Sequence, residues 1–224
     1  MRHGMKPVLY IGNRNYSSWS LRPWLVLRWA GVDVETRVIP LGGPGYAKRQ
    51  MPAILAVSPT GAVPALHVGD DVVCDSLAIS EWVAEQVPRL WPADPRARMH
   101  ARAIVCEMHA GFSALRSNLP CNIRRRAAPR TLGDDVRRDV ERIERIWGET
   151  HARFANGGSH LFGDTPTIAD AFFLPVATRF RTYAVSLGAH AHRYADALLG
   201  DSAFREWESA AGAELWAMDQ WDGV

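Results

Sequence analysis

Ser58-Pro59-Thr60-Gly61-Ala62-Val63-Pro64-Ala65-Leu66-His67-Val68-Gly69-Asp70-Asp71-Val72-Val73-Cys74-Asp75-Ser76-Leu77-Ala78-Ile79 is the stretch from which the fold can be read. Two short apolar runs, 65–68 and 72–74, flank Gly69-Asp70-Asp71, which predicts a β-hairpin. Asp75-Ser76 then caps a helix running through Val87, with Ile79, Trp82 and Val83 turned inward. Pro64 stands just ahead of the first strand, a place for a turn and sometimes for a cis peptide. A cis bond would turn the Val63 N–H and C=O outward toward a peptide-like ligand; a trans bond would open an edge strand. Nothing local decides between them.

Working outward toward the N-terminus, 8–11 is a β-rich run that leads into the turn and cap cluster Asn15-Tyr16-Ser17-Ser18. Leu21, Trp24, Leu25 and Trp29 share one helix face, and Gly31 stops that helix. A second strand is expected over 34–40, a Gly42-Gly43-Pro44-Gly45 loop after it, and a short helix over 46–56. The order β-α-β-α-β-β-α contains a right-handed strand–helix–strand crossover whose sheet the hairpin extends.

Toward the C-terminus the character changes. Residues 88–95 hold Pro88, Pro92 and Pro95, a stiff connector. Beyond it the spacing is helical: Ala101, Ile104, Met108, Phe112 and Leu115; then Val136, Val140, Ile143 and Trp147; then 167–179, with shorter helices near 192–199 and 204–216. The expected architecture is an α/β domain over 5–87, a linker over 88–95 and an all-helical domain over 96–224.

Composition bounds the function classes. The chain has 224 residues, 47% hydrophobic and 22% charged, ordinary for a globular protein with a substantial core. The formal net charge of +2 supplies no large field for gathering nucleic acid. The basic residues concentrated over 122–145 are interleaved with acids and predict a solvated helix face. Cys74, Cys106 and Cys121 cannot all pair and none sits in a CxxC, which argues against a disulfide scaffold, a zinc knuckle or a dithiol centre. His190 and His192 are too closely spaced for a helix-face metal pair, so no metal is expected. The longest apolar run, about 171–177, is far short of the roughly 20 residues that span a membrane. Met1-Arg2-His3-Gly4-Met5 lacks the apolar core of a signal peptide, and with Met5 as an alternative start the expected location is the cytoplasm.

Three constellations can carry chemistry. Ser17-Ser18-Trp19-Ser20-Leu21-Arg22 lies where a strand feeds a helix N-terminus, whose free N–H groups carry partial positive charge. A hydroxyl there can donate to an anion such as a thiolate, or simply cap the helix. The second is Val63-Pro64. The third is Asp75-Ser76, which can cap its helix or take an amino-acid head group, carboxylate on Ser76 and ammonium on Asp75.

Together, in this order and spacing, the three elements resemble the glutathione-binding domain of cytosolic glutathione transferases, and the resemblance covers nearly the whole chain. The Ser-Ser-x-Ser-x-Arg and Ser-Leu-Ala-Ile stretches look most like the zeta and tau branches and their bacterial relatives. The resemblance implies a thioredoxin-like fold in front and a helical domain behind. It makes Ser17, five residues before Arg22, the catalytic hydroxyl that activates the sulfur, with Ser18 and Trp19 beside it. It implies backbone bonds from Val63 to the cysteinyl part of glutathione, a cis Pro64, Asp75 and Ser76 at the γ-glutamyl end, and Arg49 near the glycyl end. Met108, His109, Phe112 and Arg116 fall on the helix that borders the electrophile pocket. Trp19 replaces the zeta-type Cys. Thr165-Pro166-Thr167-Ile168-Ala169-Asp170 reads as a capping box that the family uses structurally.

The expected function is therefore a detoxifying glutathione transferase, a homodimer that joins glutathione to a small electrophile. The alternatives are a glutathione-dependent cis–trans isomerase resembling maleylacetoacetate isomerase, or a non-catalytic protein that binds glutathione or apolar ligands.

Overall fold

A computed structural model describes residues 6–222. The expected start at Met5 and the last two residues of the expected helical domain lie outside that span. Strand β1 (Val8–Ile11) pairs in parallel with β2 (Glu35–Val38) and antiparallel with β3 (Ala65–Val68), which pairs antiparallel with β4 (Asp71–Val73). The order β2-β1-β3-β4 makes a mixed sheet, the thioredoxin-like arrangement. Its alternation places Leu9, Ile11 and Leu66 fully inside.

Helix α1 (Ser18–Ala30) begins at the Ser17 cap and ends at Gly31, whose φ of 71° is the left-handed stop the sequence predicts. It packs on helix α3 (Ser76–Gln86) on one side and on the helical domain on the other, so its N-terminus opens at the junction of the two domains. The expected helix over 46–56 is broken. A single 3₁₀ turn, Tyr46–Lys48, is separated from helix α2 (Pro52–Leu55) by Arg49 at a φ of 55°. Pro52 has no N–H to give to a continuing helix, so it can only open a new one.

The C-terminal domain is helical: α4 (Pro95–Ala110), α5 (Ser113–Asn118), α6 (Asp134–Phe154), α7 (Ile168–Thr182), α8 (Ala189–Leu199), α9 (Ser202–Ala213) and the short α10 (Asp219–Asp222). The helical spacing through Leu115 is interrupted at Gly111 and at Phe112, whose φ is 61°, so the expected single helix becomes α4 and α5. Residues 122–133 are irregular and α6 begins only at Asp134, which corrects the expected helix face there. Arg124, Arg125 and Arg126 are spent on other work: Arg124 donates to the Glu214 and Trp216 carbonyls, Arg125 to that of Asp222, and Arg126 to that of Ile123.

Helix α7 is buried along almost its whole length and forms the axis of the domain. The capping box forms as predicted: the Thr167 N–H donates to Asp170 Oδ2 at 2.7 Å and its hydroxyl at 2.8 Å. Asp170 Oδ1 also accepts from Leu161 N–H and the Tyr194 hydroxyl, so this fully buried carboxylate knits three segments together. Trp147 of α6, also fully buried, meets Phe173, Phe180 and Tyr194 edge-on. No helix among the described residues is long and apolar enough to cross a membrane.

Candidate active site

Ser17 sits at the head of α1. Its Oγ accepts from Ser20 N–H at a long 3.4 Å and donates to Ser20 Oγ at 2.8 Å, while Ser20 Oγ accepts from Gly12 N–H. To donate to a ligand the Ser17 hydroxyl must give up its bond to Ser20 Oγ, which still accepts from Gly12 N–H. Ser18 Oγ accepts from Arg179 Nη2 at 3.2 Å. Both serines are almost entirely buried in the protein, yet both line a cleft of about 710 Å³ between the domains.

The same cleft is lined by Trp19, Arg49, Val63, Pro64, Asp75, His109 and Arg116, so nine of the sequence-predicted site residues, the two serines included, converge on it. The Val63–Pro64 peptide is cis. Gly61 brings the 58–64 loop against Arg49: its φ is 64°, and a Cβ there would lie 2.3 Å from the Arg49 carbonyl oxygen. Met108 and Phe112 do not reach the cleft; Met108 is turned into the core by α4, and Phe112, at the left-handed break between α4 and α5, is buried there too. Ser76 is fully buried and does not line the cleft, and its Oγ has no hydrogen-bond partner.

Asp75 caps α3 through Leu77 N–H at 2.8 Å. Its other oxygen lies 3.0 Å from His109 Nε2, a stitch across the domain junction. Burial pushes His109 below its ordinary value, with Asp75 opposing that shift. Its Nδ1 is buried without a partner.

Positive charge is concentrated along one wall. Arg22 is fully buried, its guanidinium 4.3 Å from the Trp19 ring centre and 4.7 Å from that of Phe172. The Arg116 guanidinium lies 5.1 Å from the same Trp19 ring centre. Burial pushes Arg22 well down, and Arg116 and Arg179 push it further. Arg116 is lowered to about 10 by burial and by Arg179. Asp75 is the sole acid lining the cleft among the described residues, against Arg49, Arg116, Arg179 and His109. No group of three or more His, Cys, Asp or Glu among the described residues is placed to hold a metal.

Sequence reasoning missed Arg179, Tyr16, Cys121 and Trp221 as cleft residues. Arg179 carried a signal: it is the one charged residue in the buried stretch 171–180 of α7. Trp221 carried none, since it reaches the cleft only because the C-terminal segment folds back. There Asp222 accepts from the Tyr16 hydroxyl at 2.8 Å, and Trp221 packs near Tyr16 and Tyr46.

A thioredoxin-like domain whose first helix presents serine hydroxyls to a cleft walled by a helical partner defines an enzyme class that works on a thiol substrate. Models of the N-terminal and C-terminal domains of glutathione S-transferases match residues 16–86 and 107–216. The chain belongs to the glutathione S-transferase family. It is similar to a maleylpyruvate isomerase of Ralstonia sp, 31% identical with 91% of this chain and 97% of the relative covered. It is also similar to a maleylacetoacetate isomerase of Pseudomonas aeruginosa, 28% identical over 88% and 93%. Among solved structures, a maleyl pyruvate isomerase described as a zeta-class bacterial glutathione S-transferase aligns with a TM-score of 0.69 at 26% identity, covering 93% of this chain and 98% of its own. A glutathione transferase homolog from Burkholderia with bound glutathione shares the fold, with a TM-score of 0.71 at 21% identity over 94% and 100%.

Proposed function

We propose that the protein uses glutathione to isomerise a cis carbon–carbon double bond in a small carboxylated substrate. The observation that carries this reading is the charge of the cleft, where the guanidiniums of Arg49, Arg116 and Arg179 outnumber the single acid Asp75, and burial pushes Arg116 and Arg179 down. Such a wall is relieved by an anion and so favours a substrate bearing carboxylates. The relatives named as maleylpyruvate and maleylacetoacetate isomerases support it.

In this reading Ser17 donates its hydroxyl hydrogen bond to the glutathione sulfur. A free thiol with a pKa of about 8.5 is mostly protonated at pH 7. Lowering it by about two units takes roughly 2.7 kcal/mol. A hydrogen bond to the thiolate at about 1.5–3 kcal/mol and the α1 N-terminus at about 0.3–1 supply that. Val63 and Pro64 hold the cysteinyl part, Asp75 the γ-glutamyl end and Arg49 the glycyl end, all four on the cleft wall, while the buried Ser76 side chain stays behind it.

The thiolate adds to one carbon of the double bond, and the electron pair moves onto the conjugated carbonyl oxygen as an enolate. The bond, now single, rotates; the enolate electrons return, the carbon–sulfur bond breaks, and glutathione leaves unchanged. The expectation led by conjugation keeps the same first step and differs in the fate of the adduct. The protein is further read as a cytoplasmic homodimer, which light scattering checks. Product analysis with a cis-dienoic keto acid and substoichiometric glutathione tests the function. Full conversion to the trans acid supports isomerisation, whereas a stable conjugate formed one for one with glutathione points to transfer.

A further inference from the structure

We propose that Glu214, at the C-terminal end of α9, is a positioning residue for Ser17. The inference rests on the reading of Ser17 as the hydroxyl that meets the sulfur. Residues 13–16 carry the chain from β1 to Ser17. The N–H groups of Tyr16 and Ser17 both turn back onto the Asn13 carbonyl, at 3.1 and 2.9 Å. The amides of Arg14 and Asn15 are left pointing away from the sheet, where the N-terminal domain offers them no acceptor.

Glu214, 200 residues further along the chain, supplies both. Its Oε1 accepts from Arg14 N–H at 2.9 Å and its Oε2 from Asn15 N–H at 3.3 Å. The carboxylate is nine-tenths buried, its only cationic neighbour among the described residues is Arg14 Nη1 at 3.5 Å, and Arg124 fixes its backbone carbonyl. A carboxylate so buried is costly and persists where it satisfies donors that would otherwise be orphaned. Neutral groups finish the grip: Trp207 Nε1 donates to the Arg14 carbonyl, Ile123 N–H to the Asn15 carbonyl, and Arg124 N–H to Asn15 Oδ1. Asn15, fully buried, is thereby held by the helical domain and not by its own sheet. The loop that aims Ser17 is thus set from outside its own domain, and Glu214 is the one charged side chain that does it through two backbone amides at once.

The role is geometric. Losing Glu214 frees two amides two and three residues before Ser17, so the hydroxyl samples directions that miss the sulfur. Binding of the glutathione backbone at Val63 and Asp75 is untouched. The test uses the full chain as Glu214→Ala, Glu214→Gln and Ser17→Ala, each checked for folding by circular dichroism. The ultraviolet absorbance of the bound thiolate is titrated against pH, and kcat and glutathione KM are measured. Glu214→Ala is expected to raise the apparent pKa of bound glutathione by about one unit and lower kcat about tenfold, with KM within about twofold. Glu214→Gln, which keeps one acceptor oxygen, falls between. If Ser17→Ala moves the thiol and a folded Glu214→Ala does not, the positioning role is overturned while the Ser17 reading stands. If Ser17→Ala itself leaves the bound thiol unmoved, the Ser17 reading falls and takes the positioning role with it. If Glu214→Ala fails to fold, Glu214→Gln decides by the same two readouts.

Discussion

Replacing Arg116 by Met tests the charge of the cleft most directly. The guanidinium spends Nε on the Gly111 carbonyl at 2.9 Å and Nη2 on the Met108 carbonyl, which leaves Nη1 to face a ligand from the wall it shares with Trp19. A hydrogen bond between this cation and a substrate carboxylate is worth about 1.5–3 kcal/mol, so its loss lowers kcat/KM for a carboxylated substrate by roughly 10- to 150-fold. Methionine retains the apolar stem against Trp19 but frees two carbonyls at the end of α4, costing stability as well. That structural share falls equally on every substrate, so the assay is a ratio. kcat/KM is measured for a cis-unsaturated keto acid and for an uncharged aryl halide, in the wild type and in Arg116→Met, well below both melting temperatures. The loss for the acid should exceed the loss for the aryl halide by about tenfold or more. Because burial and Arg179 hold Arg116 to about 10, the preference for the acid should also fade as pH rises through that value, where the free guanidinium loses its proton. Equal losses on both substrates would refute the argument that the arginine wall selects for anions.

The other expectations are narrower. Ser17→Ala should lower kcat at least about tenfold with glutathione affinity roughly intact, since the contacts proposed at Val63, Asp75 and Arg49 remain; full activity in Ser17→Ala with loss in Ser18→Ala would transfer the role to the hydroxyl beside Arg179. Asp170→Ala should reduce unfolding free energy in denaturant by more than about 2 kcal/mol, beyond an ordinary cap, because four donors lose their acceptor; a change inside experimental error would contradict the buried network. Burial holds His109 below its ordinary 6.5, so the unfolded chain takes its proton first. Its contribution to stability is complete above about that value and is lost as pH falls toward the depressed folded pKa; melting curves of His109→Gln should therefore decline less steeply with acid than wild type.

Local signals carried much of the fold. The hairpin over Gly69–Asp71, the Asp75 cap, the Gly31 stop and the Thr167–Asp170 box each rest on a few adjacent residues whose backbone demands are visible in the chain. Pro52 marks in the chain where α2 must restart, but the left-handed backbone at Arg49 and at Phe112 was not legible, because neither residue is a glycine. The site divides the same way. Ser17, Val63 and Asp75 announce themselves by motif. Glu214 and Trp221 are ordinary residues in an ordinary stretch, and only the return of the chain over 214–222 gives them something to do. Met108 and His109 are neighbours in sequence with opposite fates, one buried in the core and the other at the cleft, a difference of helical phase that the spacing alone left open.

Asp75 holds three offices in one side chain: it starts a helix, it stitches the domains through His109, and in the proposed reading it receives an ammonium group. A residue so committed has little freedom to drift, since any exchange is felt at once in folding, in the width of the cleft and in affinity. The Trp19 side chain is held by ring packing, against the guanidiniums of Arg22 and Arg116 and the edge of His109. New substrate preferences are therefore cheaper to explore at Trp19 than at Asp75, and a mutational library aimed at altered specificity should spare the second and randomise the first.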